Sequence, residues 1–483
     1  MAYRKHLLNW VYPDVYLVSH WAMDMRVDLA IFGGMLCLPS GVRPGTLIIG
    51  DGQINGVLPP GEQATACETL DASGLHVLPG AIDIHCHIRS PAYPQRGSVD
   101  SETSAALAGG ISTVFEMPIT NPCCNSVERV QIRRDHFAET ARSDFALYAA
   151  PAILTQKNFE ALAEVGVIAF KIFTTSAPKG RSAEFEGLSW TNAVDQAQVL
   201  RLAAKVGLPV VVHAENQDIL TRAEVSARAL DPSNAATHNA ARPPLAEALA
   251  VAQLLTLNIE AQAKLHIAHV TSELVLDILR RFSGTSDFSA ETCPHYLMHD
   301  EEDVAKAGVW GKINPPIRYA RDKVALWQAL ADGTLDHVTT DHAAFTLKEK
   351  AAAEGDFLSA PPGHPGLEVL LPSLLDGVAA GQINLSRAVD LVSTKAAQRF
   401  SLPQKGGLVS GANADITFVD LAAETVIEQN SLNTAARANA RLSHGKRYRG
   451  RVVRTLLAGK TVWDGSAVVE THGKGCFVRP KLS

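Results

Sequence analysis

Eight short apolar runs, spread through the middle of this 483-residue chain, constrain its fold more than any other feature. They lie at 81–85, 112–117, 144–150, 167–173, 209–215, 264–270, 288–293 and 337–342. Helix-like stretches separate them, among them Ser101–Ala108, Gln156–Glu164, Ala193–Val206, Pro244–Glu260 and Leu274–Phe282. Strands that are apolar at nearly every position are buried on both faces, as in a parallel sheet covered by helices. Eight strand–helix units predict an α/β fold, a (β/α)8 TIM barrel, whose chemistry gathers at the C-terminal ends of its strands.

The two ends of the chain read differently. Asp28 to Val77 holds short β-rich runs (DLAIFGG, GTLIIGDGQINGV, LHV) punctuated by glycine and proline, and GGLVSGANADITFVDL and RVVRTLLAGKTVWDG near the other end share that texture. A small β-sandwich built from both termini is expected, over residues 25–78 plus 393–483, around a barrel at 79–392. Residues 1–24 read as an N-terminal extension, with Met23 or Met25 as alternative starts.

Composition narrows the function classes. A net charge of −6 offers no footprint for nucleic acid or an anionic membrane, and no apolar run is long enough to span a bilayer. The N-terminus lacks the continuous apolar core and small-residue cleavage site of a signal peptide. Seven cysteines without CxxC spacing suggest reduced thiols and a cytoplasmic address. The vicinal Cys123–Cys124 pair reads as two small buried or loop residues.

The polar residues on this frame are informative. His85 and His87 end the first strand one residue apart, so both imidazoles can leave the same face and meet one ion. Lys171 sits inside the fourth strand among apolar neighbours, where an amine is costly unless paired or neutralised. His213 ends the fifth strand, His269 the sixth and Asp341 the eighth. One histidine at a strand end is more often structural than a ligand. Six metal-competent groups reaching the same end of a barrel are hard to obtain by chance.

The order HxH…K…H…H…D, in the contexts PGAIDIHCH, AFKIF, HAEN, HIAHVTS, ETCPHYL, KINPPIR and TTDHA, resembles the cyclic amidohydrolase branch of the amidohydrolase superfamily. That branch includes dihydroorotases, allantoinases, hydantoinases and dihydropyrimidinases. The resemblance runs from about Asp28 to Gly465 and includes a GxxxxGxxADI signature at Gly406–Ile416. It implies two divalent metal ions, usually Zn2+, bridged by a carboxylated Lys171. His85, His87 and Asp341 would complete one site, and His213 and His269 the other. It further implies hydrolysis of a cyclic amide by a metal-bridging hydroxide, with Asp341 as general base and then acid. Members commonly form dimers or tetramers, so a homo-oligomer is expected.

The choice of ring is divided. Arg89 completes HxHxR, the dihydroorotase pattern in which the arginine holds the substrate carboxylate, and Asn314 in KINPPIR fits the same pattern. Met117-Pro118-Ile119 lacks the asparagine that dihydroorotases carry there, although Asn121 follows two residues on, and EMPIT and ETCPHYL look closer to allantoinases. Ser176 stands where hydantoinases and dihydropyrimidinases usually place a tyrosine, so one of those would need an atypical pocket. His342 and His364 are candidates for substrate contact, His295 for packing, and Ala343–Pro365 for a lid. A non-catalytic scaffold of the same fold would be expected to lose metal ligands, and this chain keeps all six.

Overall fold

The computed structural model describes residues 27–62, 64–469 and 475–482. The expected extension at 1–24 lies outside the described residues. The central sheet is a ring of parallel strands: β1 (Ala81–His87), β2 (Ile111–Glu116), β3 (Asp144–Ala149), β4 (Ala169–Phe173), β5 (Val210–His213), β6 (Leu265–Ile267) and β7 (Phe288–Thr292). The eighth position is shared by two fragments, β8 (His337–Val338) and β9 (His342–Ala343). β8 pairs with β7 and β9 with β1, so the ring closes through a strand broken at residues 339–341. The eight apolar runs fall on these strands.

The break has a polar anchor. Thr340 donates from its backbone N and its Oγ1 to the Asp83 carboxylate of β1, at 3.0 and 2.5 Å. That grip replaces the sheet hydrogen bonds that the interruption forgoes, and Asp341 follows it at φ 43°. A second irregularity lies in β1, whose register against β2 shifts between Asp83 and Cys86. Ile82 and Ile84 pack with the inner barrel cluster, whereas Cys86 and Ile88 pack with the outer layer. The inward side therefore passes from even to odd positions at the shift, and His85 and His87 both face the cavity above.

Inside the barrel, Phe115, Met117, Tyr148, Ile168 and Val211 form an apolar plug, and the Tyr148 hydroxyl donates to the Ile84 carbonyl at 2.8 Å. Phe400 and Leu402 join the plug, with Ala396 and Ala397 of the helix Lys395–Arg399. Part of the stretch assigned by sequence to the sandwich thus packs with the barrel. So does the segment from Gly475, where Phe145 N donates to Cys476 O and Val478 N to Phe145 O.

The smaller domain has two sheets. Four strands run Gln53–Leu58, Thr46–Gly50, Leu29–Phe32 and Glu68–Asp71. Six run Lys460–Trp463, Arg447–Leu457, Ile416–Val426, His76–Pro79, Met35–Leu38 and Gly41–Pro44. The antiparallel pairing of His76–Pro79 with Ile416–Val426 joins the two ends of the chain, and Leu29, Ile31, Leu47, Val77, Phe418 and Leu456 pack between the sheets. Among the described residues, no helix is long and apolar enough to cross a membrane.

Lys405 joins the two domains. Its Nζ donates to Asp144 of β3 at 2.7 Å and to Asp415 at 2.6 Å, with all three side chains nearly closed to solvent. Removing one partner of a buried ion pair leaves uncompensated charge. Lys405→Met is therefore expected to cost about 3–5 kcal/mol of stability, measured as a lowered unfolding midpoint, whereas an unchanged midpoint would contradict the assigned role.

Candidate active site

A cavity of about 960 Å³ opens over the C-terminal ends of the barrel strands, and His85, His87, His213, His269 and Asp341 all line it. The Nε2 atoms of His85 and His87 lie 3.4 and 3.1 Å from Asp341 Oδ1, and one ligand atom from each of the three lies within 4.8 Å of the others. His213 Nδ1 faces His269 Nε2 at 2.9 Å, and the His269 ring is 5.5 Å from that of His85. Lys171 is fully buried in β4, within electrostatic reach of Asp341 and of both His213 and His269.

Two buried carboxylates orient these rings. Glu291 of β7 lies 2.5 Å from His85 Nδ1, and its other oxygen lies 2.9 Å from His266 Nε2. A carboxylate accepts, so His85 Nδ1 donates to Glu291, and Nε2 is the ring atom turned toward Asp341. Glu215, two residues after His213, does the same from the other end: it holds His213 Nε2 at 2.7 Å and is itself gripped by Arg242, leaving Nδ1 free. Burial alone would raise Glu215, but Arg242 and His213 hold it well below the usual carboxylate range.

Burial favours the neutral forms of His87, His213 and His269. It brings His87 down to about 3 and also lowers His213 and His269. Desolvation would raise Asp341, but His85 and His87 beside it keep its carboxyl ionised. Lys171 is lowered to about 8 by burial, so about one amine in ten is neutral near pH 7, far more than for an exposed lysine.

The backbone is strained where the site needs it. Of seven non-glycine residues with positive φ among the described residues, three line this cavity: Arg89 (60°), His269 (40°) and Asp341 (43°). Such conformations persist only where surrounding contacts impose them. Glu116, at the end of β2, supplies those at Arg89: it accepts from Ile88 N and Arg89 N, each at 2.8 Å, and pairs with Arg133.

The donor set suits divalent cations of the zinc type. Among the described residues, Lys171 Nζ, His87 Nδ1 and His269 Nδ1 are buried without a hydrogen-bond partner, and imidazoles converge with one carboxylate. Buried polar atoms left unpaired in this way are costly unless a bound group satisfies them.

The substrate candidates divide. Arg89 and Asn314 line the cavity, and so does Ser176, whose backbone N donates to Gln217 at 2.6 Å. Asn121 and His342 are not brought there. Asn121 is exposed beside Pro122, outside the cavity wall. His342 is fully buried, with Nε2 3.0 Å from Glu102 and Nδ1 accepting from Gly366 N, so its ring ties β9 to the surrounding layer. His364 is likewise occupied, 2.9 Å from Ser443 Oγ, and His295 packs against Tyr296. Glu116, Glu215, Glu291 and Arg242 escaped the sequence reading. The three glutamates carried the signal that Lys171 carried, an ionisable residue in or beside an apolar strand; Arg242 offered none.

The sequence profile of the amidohydrolase family matches residues 76–462. An allantoinase of Rubrobacter xylanophilus is 34% identical over 458 residues, covering 94% of this chain and 98% of that protein. A D-hydantoinase of Ralstonia pickettii is 31% identical over 467 residues, covering 94% of this chain and 99% of its own. Among solved structures, the L-hydantoinase (dihydropyrimidinase) of Arthrobacter aurescens superposes with a TM-score of 0.88 at 27% identity, over 94% of this chain and 100% of that one.

If Glu291 sets the direction of the His85 lone pair, Glu291→Gln weakens metal binding. A loss of about 10–100-fold in affinity is expected from chelator competition. Unchanged affinity would remove Glu291 from that role.

Proposed function

The chain belongs to the amidohydrolase family and hydrolyses the carbon–nitrogen bond of cyclic amides, and we propose that its preferred ring carries a carboxylate, as dihydroorotate does. The observation that carries this reading is the state of Arg89. Its guanidinium lies at the cavity with Nε and Nη1 unpartnered, 5.1 Å above the Phe345 ring. Glu116, the nearby carboxylate, is engaged with its backbone N. Burial, with Arg181 and Arg96 adding like charge, lowers Arg89 to about 10. A planar carboxylate offsets such a buried cation and matches its fork. Asn314, whose Oδ1 is also buried and unpartnered, offers a further contact to the ring.

A second reading is allantoin or a simple hydantoin. It is favoured by the named relatives and by a serine, Ser176, at the cavity, where a small polar group leaves room for a ring substituent.

His85, His87 and Asp341 would hold one divalent cation, His213 and His269 another, with carboxylated Lys171 between them and Zn2+ the leading identity. Bound there, the cations supply Lewis acidity and lower the pKa of water beside them. Lys171 prepares that site: its neutral amine adds to the carbon of carbon dioxide and loses a proton to water, converting a repelling cation into a carbamate anion. Asp341 takes the proton released as water adds to the ring carbonyl. It then delivers that proton to the ring nitrogen as the carbon–nitrogen bond breaks, leaving a neutral amide or ureido group and a carboxylic acid, which loses its proton to solvent to become the carboxylate. His85 and His87, both facing Asp341, fix the position of its carboxylate for that transfer.

A ring-opening screen of the metal-loaded protein against dihydroorotate, allantoin, hydantoin and dihydrouracil tests the assignment. Dihydroorotate is expected to be preferred, and Arg89→Ala to lower its kcat/KM by about 100-fold or more while changing uncharged rings far less. Preference for an uncharged ring with Arg89→Ala harmless would move the assignment to the second reading. Chelation is expected to abolish turnover and added Zn2+ to restore it; activity surviving metal removal would exclude the proposed mechanism.

A further inference from the structure

Lys312, two residues before Asn314, lines the cavity although only 5% of its surface is exposed. Its Nζ makes one hydrogen bond, donating to the Leu358 carbonyl at 2.5 Å, while an ammonium has three N–H donors. Close by, Lys350 is fully buried, and its Nζ donates to the carbonyls of Val309 at 3.3 Å and Lys312 at 3.2 Å. Among the described residues neither lysine has a carboxylate within ion-pair distance. Two buried amines beside one cavity, both without a counter-ion, form a local excess of positive character that a bound anion would offset.

The charges around Lys312 are already committed. Arg242 grips Glu215, Arg228 pairs with Glu224, and Asp356 is held by Ser359. Lys350 and the buried His238, whose Nε2 lies 2.9 Å from the Ile313 carbonyl oxygen, also face Lys312. Arg89 has a separate set, namely Arg181, Arg96, Glu184 and Glu116. The charged groups acting most strongly on the two cations are thus not shared.

We propose that Lys312 is a second carboxylate-binding residue of this cavity, taking a carboxylate of the substrate or of its ring-opened product. The inference rests on the cyclic amide hydrolysis assigned above, since opening a ring amide with water leaves a carboxylate on every product. It does not depend on Arg89 selecting the substrate. Burial, with Arg242 adding like charge, lowers Lys312 to about 7, so a carboxylate arriving beside it draws a proton onto the amine. Affinity for the anion is then greatest below that pH and falls as pH rises through it. A rival role is a strut, because the Leu358 bond and a Gly363 N to Lys312 O bond also tie residues 358–363 to this wall.

The test compares wild type, Lys312→Met and Lys312→Arg as metal-loaded full chains. One arm measures KM for dihydroorotate and for hydantoin; the other measures calorimetric binding of N-carbamoyl-aspartate, which needs no turnover. Lys312→Met is expected to weaken a carboxylate-bearing ligand roughly tenfold, with Lys312→Arg retaining most of the affinity and the Tm unchanged. A rise in KM for dihydroorotate alone assigns the substrate carboxylate. Weaker N-carbamoyl-aspartate binding without a KM change assigns the product carboxylate. Wild-type affinity should also fall between about pH 6 and about pH 8.5, and that fall should shrink in Lys312→Met to the part that the neighbouring Lys350 contributes. Changes under about twofold in both arms would overturn the proposal, as would equal weakening of hydantoin together with a lower Tm, the signature of a strut. If neither ring is opened, the assigned reaction fails while the binding arm still decides on Lys312.

Discussion

A fully buried amine with no protein partner is the constraint on which this site depends. Lys171 stands inside a parallel barrel strand, closed to bulk solvent, and among the described residues nothing hydrogen-bonds its Nζ. Its electrostatic neighbours are the buried histidines His213 and His269 and two carboxylates, Glu291 and Asp341. Such an arrangement is unfavourable for a bare protein and favourable for one that carries cations, because each unpartnered nitrogen becomes a donor. The energy for tolerating it comes from elsewhere in the fold, chiefly from the apolar plug beneath the strands and the helical layer outside them.

The surrounding structure keeps the donors from collapsing onto one another. Glu291 and Glu215 each hold the rear nitrogen of a histidine, which fixes its tautomer and direction before any ion arrives. The broken eighth strand serves the same end. By gripping Asp83 through Thr340, the chain closes the barrel and still turns Asp341 into the cavity at a left-handed φ. Glu116 does for Arg89 what Asp83 does for Asp341. Orientation here is achieved by buried carboxylates in or beside the barrel strands, each satisfied by backbone N–H groups, hydroxyls, imidazoles or guanidinium groups.

Periodicity made the barrel legible, because strands buried on both faces cannot hide their continuous apolar character. The same logic exposed Lys171, His213 and Asp341, whose chemistry contradicts their surroundings. It failed for the contacts that depend on loop geometry. Asn121 and His342 sit close in sequence to site residues, yet one is exposed beyond a turn and the other is taken up by Glu102 and Gly366. Nearness in sequence does not say which way a side chain leaves a turn. Nor could simple alternation along β1 account for both Ile84 and His85 facing inward; that required the register shift against β2. Arg242 and Lys312 lie outside the barrel strands; no pattern marks Arg242, and KINPPIR contains Lys312 but draws notice to Asn314.

Counting divalent metal ions per chain, in wild type and in Lys171→Ala purified alike, tests the central claim most directly. The account predicts two per wild-type chain and fewer than one in Lys171→Ala, with occupancy partly recovered when a short free carboxylate such as propionate is supplied in place of the missing anion. Two ions retained by Lys171→Ala, or full turnover by wild type holding only one, would contradict it.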